Sequence, residues 1–200
     1  DPAQFIELAS VDTGTTRAVH AWGDVVYVAG AGGIRTYDVS ALDAPTELSK
    51  LHSAGLAVGL AIAGNRAYVA DLDGGLKILD LSSVDNPGVL GSIGDFEPEA
   101  VDVVGDYAYA VSKRDESCWC TPGQLDIVDV SNPTNPVVVS TFDFNGFPSS
   151  VRVVDGTAWI GTTYGNLVVV DVTDPALPEA VTHLGGGYSF GTTEAVGNYV

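Results

Sequence analysis

The sequence predicts an all-β fold, a β-propeller made of four-stranded blades. Three observations lead there. The stretch LVVVDVTDPALP (167–178) has three earlier counterparts: LDIVDVSNPTNP (125–136), LKILDLSSVDNP (76–87) and IRTYDVSALDAP (34–45). Their aspartates, Asp38, Asp80, Asp129 and Asp171, stand 42, 49 and 42 residues apart, and a proline follows each one seven residues later. Between the copies run short stretches of Val, Ile, Leu, Tyr and Ala, broken by Gly, Asn, Asp and Pro, with no 3.6-residue periodicity to support helices.

A period of 42 residues holds four strands of about six residues and four turns of about four. In the second unit the strands read VGLAIA, AYVAD, LKILDL and VLGSI, and the breaks AGNR, LDGG and SSVDNP carry the residues that tight turns require. An immunoglobulin-type sandwich needs about 100 residues, whereas a propeller blade needs about 40–45. Runs such as VVYVA and LVVVDV lack the in/out alternation of a sheet with one wet face, so they are expected to be buried on both sides. Tyr27, Tyr68, Tyr109 and Trp159 recur on the second strand, as rings expected to fill the space between blades. Each repeated aspartate ends a strand and is placed to accept N–H bonds from the turn that follows.

The motifs LVVVDVTDP, LDIVDVSNP and LKILDLS resemble the LVIVD repeat of bacterial and archaeal β-propeller proteins, many of them predicted to be secreted or surface-attached. The first copy departs from that pattern with IRTYDVS, the third through an insertion. The resemblance implies an extracellular, cell-surface or periplasmic setting. In phase with the repeat, residues 1–14 read as the end of one blade. Residues 15–55, 56–97, 98–146 and 147–187 read as four blades, and 188–200 as the start of another, so that the whole is expected to be one segment of a larger ring.

Composition narrows the partners. The chain has 200 residues, 46% hydrophobic and 17% charged, and 26 acids against 8 bases leave a net charge of −18. Phosphate backbones repel such a chain, which argues against nucleic acid. No run approaches the ~20 apolar residues of a membrane span; LAVGLAIAG (56–64) is the longest candidate. Two cysteines, Cys118 and Cys120, are too few for a disulfide framework.

Departures from the repeat mark candidate sites, because blade packing does not demand them. From Tyr109 to Asp129 is 20 residues, against 12 from Tyr68 to Asp80. The excess falls in SKRDESCWCTPGQ (112–124), an enlarged loop carrying Arg114, Asp115, Glu116 and Trp119. Cys118 and Cys120 read as free thiols or as a strained disulfide; a soft metal would need further ligands. In DLDGG (71–75), Asp71 and Asp73 can offer two oxygens to Ca2+, which takes six to eight, or serve as soluble shoulders of a Gly-Gly hairpin. Propeller topology puts the connections between blades on the same face as this loop. That face is expected to gather His52, Asp95, Glu97, Glu99, Phe147, Tyr164, Tyr188 and Phe190 near Trp119, a mixture suited to a protein, peptide, carbohydrate or cation ligand. The candidate ligand-binding residues are therefore Trp119, Arg114, Glu97, Glu99, Tyr164 and Tyr188.

No catalytic residue stands out. His20, His52 and His183 fall at different phases of the repeat, without GxSxG, HExxH or a phosphate-binding loop. Two functional expectations follow. One is a binding scaffold acting through loops on one face. The alternative is a hydrolase or lyase with a carboxylate and divalent-cation site at the channel mouth, for which Glu97, Glu99, Asp71 or Asp73 should converge.

Overall fold

A computed structural model of the chain describes residues 7–51, 55–83, 86–114, 122–163 and 165–185. These form four sheets of four strands. The first sheet holds β1 (Thr16–Trp22), β2 (Val25–Gly30), β3 (Gly33–Asp38) and β4 (Thr46–Leu51). The second holds β5 (Ala57–Ala63), β6 (Arg66–Asp71), β7 (Gly75–Asp80) and β8 (Gly88–Ile93). The third holds β9 (Pro98–Val104), β10 (Tyr107–Lys113), β11 (Pro122–Asp129) and β12 (Val137–Asn145). The fourth holds β13 (Pro148–Val154), β14 (Thr157–Thr162), β15 (Asn166–Asp171) and β16 (Glu179–Gly185). Each sheet is an antiparallel meander in chain order. Among the described residues there is no helix. The segments read from sequence as flanking blades, 1–14 and 188–200, fall partly or wholly outside the described residues.

Local chemistry sets this geometry. The tight turn from first to second strand needs a residue at positive φ. Gly23, Gly64 and Gly105 supply it at φ 58–59°, and in the fourth sheet Asp155 (48°) and Gly156 (74°) both adopt it. Every sheet carries one irregularity between its first and second strands and another between its third and fourth. Bulges at such fixed places raise the local twist, which gives the four sheets a common shape for stacking.

The sheets stack face to face, and β1, β5, β9 and β13 pack on one another in turn at the inner side. Three apolar layers result. Tyr27, Ala29 and Ile34 meet Ile62, Val69 and Leu79 between the first two sheets. Tyr68, Leu76 and Ile78 meet Val101, Val128 and Val130 between the second and third. Tyr109, Leu125 and Ile127 meet Val151, Ile160 and Val170 between the third and fourth. Each tyrosine thus faces the following sheet, and all three are at most 4% exposed. Trp159, the fourth of the series, is half-buried on the last sheet.

The repeated motif does two jobs. The Oδ1 atoms of Asp38, Asp80, Asp129 and Asp171 accept the backbone N–H of Ser40, Ser82, Ser131 and Thr173 at 2.8–2.9 Å. The residue between the two bonds back to the inner hairpin turn, as Val39 N–H to Asp24 O and Val172 N–H to Gly156 O, both at 2.8 Å. Beyond this knot, the proline turn reaches the preceding sheet. A Cβ on Gly91 of β8 would lie 2.3 Å from Pro133 O. At the equivalent place on β12, the Ser140 hydroxyl donates to Pro175 O at 2.5 Å. The turn therefore locks neighbouring blades at their outer edge.

One element differs from the sequence reading. Ser112, Lys113 and Pro122–Gln124, read as part of the enlarged loop, belong to the ladder: Ser112 pairs with Gln124 and Lys113 with Gly123, while β12 runs on to Asn145 opposite Pro122. The added residues lengthen the hairpin first, because continued pairing satisfies backbone groups that a loop would leave to solvent.

Tyr68→Ala should cost about 3 kcal/mol or more, as chemical denaturation would measure; a loss below about 1 kcal/mol would contradict its place between sheets. A second expectation concerns acid. The bonds from the backbone N–H and the hydroxyl of the residue two on hold Asp38, Asp80 and Asp171 below their ordinary value; in Asp129 the hydroxyl is the larger cause. A carboxyl depressed in the folded state stabilises fully above its unfolded value and loses that contribution as pH falls through the folded one. Melting temperature should therefore fall as pH drops below about 4, and a flat profile from pH 4 to 2.5 would contradict the account.

Candidate functional site

A cavity of about 550 Å³ opens between the second and third sheets, on the face where one blade connects to the next. Four elements form it. The turn from β6 to β7 contributes Leu72, the connection from β8 to β9 contributes Asp95, Phe96 and Glu97, and the long hairpin contributes Ser112, Lys113, Arg114 and Gln124, with Glu99 from β9. In the first, second and fourth sheets the residue after the second strand bonds to the connection that leads into the first strand: Leu72 N–H to Leu56 O at 3.0 Å, Ala31 N–H to Thr15 O and Thr163 N–H to Phe147 O.

Glu97, Glu99 and Arg114, three of the residues singled out in the sequence, thus line one cavity. Trp119, Cys118, Cys120, Tyr164 and Tyr188 lie outside the described residues, as do His52, Asp115, Glu116 and Phe190. Asp71 ends β6 and Asp73 stands on the turn that follows, but Asp71 is turned toward the first sheet. Its carboxylate is fully buried, paired with Lys77 Nζ at 2.5 Å, and accepts the Asp73 N–H at 3.2 Å. Gly55 is required opposite it, since a Cβ there would sit 2.0 Å from Asp71 Oδ1. Among the described residues no three His, Cys, Asp or Glu side chains form a group able to hold a metal ion.

The cavity's two cations are both engaged. Lys113 pairs with Glu99 at 2.5 Å, and Arg114 pairs with Asp143 of β12. Beneath the lining lies a carboxyl that the sequence reading passed over. Asp126 on β11 is 2% exposed, accepts the Gln124 amide at 2.7 Å and the Ser112 hydroxyl at 3.5 Å, and has no ion-pair partner among the described residues. Burial pushes its pKa up to about 6; the bonds from Gln124 and Ser112 oppose this, Asp143 adds to it and Arg114 opposes it. A signal was present in the sequence. Asp126 fills the position that holds Arg35, Lys77 and Val168 in the other copies, a variable place inside an otherwise apolar motif.

A second polar group sits at the inner strands. His20, Ala61, Asp102 and Arg152 pair with Tyr27, Tyr68, Tyr109 and Trp159 respectively, so they share one register. Arg152 Nη1 donates to Asp102 at 2.9 Å, and Asp102 also accepts the Val153 N–H of the next sheet at 2.7 Å. This clasp satisfies an inner-edge donor that no strand covers. His20 is held below its ordinary value by burial and by the Arg152 charge, against the pull of Asp102.

Four stacked meanders with a cavity on the connection face define a repeat protein of the β-propeller type. More closely, the chain belongs to the LVIVD repeat family, whose model matches residues 1–52, 54–95, 99–143 and 145–183. No curated protein matches it. The 277 solved chains that do match show an architecture too widespread to discriminate function. One is a computationally designed protein, Ika8, with a TM-score of 0.65 at 12% identity over 90% of this chain and 52% of the designed one. The chain thus spans about half the length of that protein. Among the described residues no helix is long and apolar enough to cross a membrane.

Asp126→Asn tests the buried carboxyl. A folded value near 6 against 3.8 unfolded means that stability falls as pH rises between the two, by about 2–3 kcal/mol. The variant should be more stable than the parent by that order at pH 7.5, with the difference vanishing near pH 4. Equal stability at both pH values would contradict the assignment.

Proposed function

We propose that this protein is a binding scaffold that engages its ligand through loops on one face, at the cavity between the second and third blades. The observation that carries the reading is the convergence of Glu97 and Glu99, from the stretch leading into β9, with Arg114, from the long hairpin, onto a cavity of about 550 Å³. Pockets of this size, with a few placed polar groups, are typical of ligand sites. A rigid stack beneath variable connections is a common way to present such groups. A protein, peptide or carbohydrate partner fits this mixture of carboxylates, guanidinium and the Phe96 ring. The extracellular, cell-surface or periplasmic setting is part of the same proposal and rests on the resemblance to LVIVD-repeat proteins. Of the two functional expectations, the enzymatic one has less support, because the carboxyl nearest neutrality, Asp126, is covered by Ser112 and Gln124.

The test is a screen of peptide and glycan arrays with the parent chain and with a variant whose residues 113–123 are replaced by a two-residue hairpin turn. The reading expects ligands retained by the parent and lost by the variant, while circular dichroism shows the β-structure intact. Ligands retained equally by both would move the binding face elsewhere.

A further inference from the structure

The cavity also carries information about what it takes, an inference that rests on the binding role just proposed. Its own cations are committed: Lys113 to Glu99, Arg114 to Asp143. Asp95 and Glu97, both exposed on the rim, form no ion pair among the described residues. Behind the Ser112 and Gln124 side chains, the Asp126 carboxylate is satisfied by neutral donors alone. A buried carboxylate with no ion-pair partner is costly when ionised, and the Arg114 charge, committed to Asp143, offsets that cost only in part. That cost falls when a cation enters the space in front of it. Phe96, half-buried against the core between these sheets, offers an aromatic surface at the same opening, and ring faces attract ammonium and guanidinium groups. The net charge of −18 adds a long-range pull on any cation.

We propose that the cavity between the second and third blades binds an organic cation, an ammonium or guanidinium group, seated between Asp95 and Glu97 at the rim with Asp126 beneath Ser112 and Gln124. Neither calcium nor another bare metal fits as well: only Asp95, Glu97 and Glu99 offer lining carboxylates, and Glu99 is held by Lys113. The charged groups around Asp126 are Asp143 on β12, Lys113 and Arg114 on and after β10, Glu99 on β9, and Asp95 and Glu97 on the connection from the second sheet. Of these, Asp126 is the carboxyl placed to titrate near pH 6. Binding should therefore be tighter above pH 6 and weaken below it, since protonation removes the negative charge that lies beneath the cation's seat.

The experiment is a titration of the full chain, followed by amide NMR, with agmatine, cadaverine, a capped Gly-Gly-Arg-Gly-Gly peptide and capped Gly-Gly-Gln-Gly-Gly and Gly-Gly-Glu-Gly-Gly controls. The cations should shift the amides of Phe96, Glu97, Lys113, Arg114 and Gln124, with affinity falling about tenfold, or 1.4 kcal/mol, from pH 7.5 to pH 5. In Asp126→Asn that fall should largely disappear. Binding of the free diamines and binding of the arginine peptide each uphold the cation class, and their ratio tells a small amine from a partner's side chain. Equal or tighter binding of the glutamine or glutamate peptide would overturn the cation class while leaving the scaffold reading intact. No shift with any probe would overturn the cation site, and the array result then decides the scaffold reading separately. If the variant does not fold, a pH-independent affinity in the parent overturns the role of Asp126.

Discussion

The structure depends on one constraint: a sheet apolar on both faces must be covered on both, as the second and third sheets are here. A sheet such as β5–β8, with β6 and β7 buried along nearly their whole length, would expose a large oily surface if it stood alone. Stacking removes that surface from water. It also requires that successive sheets have the same twist, the same inner edge and the same outer lock, which is why bulges, positive-φ hairpin turns and the proline turn recur at fixed places. The tyrosine of each of the first three sheets faces the next one, so the repeat unit is defined by what its neighbour needs as much as by its own strands.

That dependence explains how much of the fold was legible. Any feature that every blade needs is written four times: the aspartate that knots the turn, the proline that closes it, the aromatic of the second strand. Repetition makes such signals readable without coordinates. The length of the third hairpin was not readable in this way. Ser112 and Gln124 look like loop residues beside Lys113 and Gly123, and only pairing across the hairpin makes them strand.

The candidate site shows the complementary limit. Glu97, Glu99 and Arg114 were found because they break the repeat in connections that topology sends to one face. Asp126 was passed over because it lies inside a motif otherwise occupied by apolar and basic residues. Asp102 and Arg152 were hidden by the inner strands, where VDVV and VRVV look like core. Comparing equivalent positions down the four copies, rather than reading along each one, exposes both cases: Arg35, Lys77, Asp126 and Val168 in one column, His20, Ala61, Asp102 and Arg152 in another. Polar residues at these places account for the buried carboxyls Asp102 and Asp126.

Native-state amide hydrogen exchange tests the stacking constraint most directly. If coverage of both faces sets local stability, amides of β6, β7, β10 and β11 should exchange slowest, through near-global opening. Those of β16, exposed along its whole length, should exchange by local fraying. Uniform protection across the four sheets, or β6 and β7 exchanging as fast as β16, would contradict it.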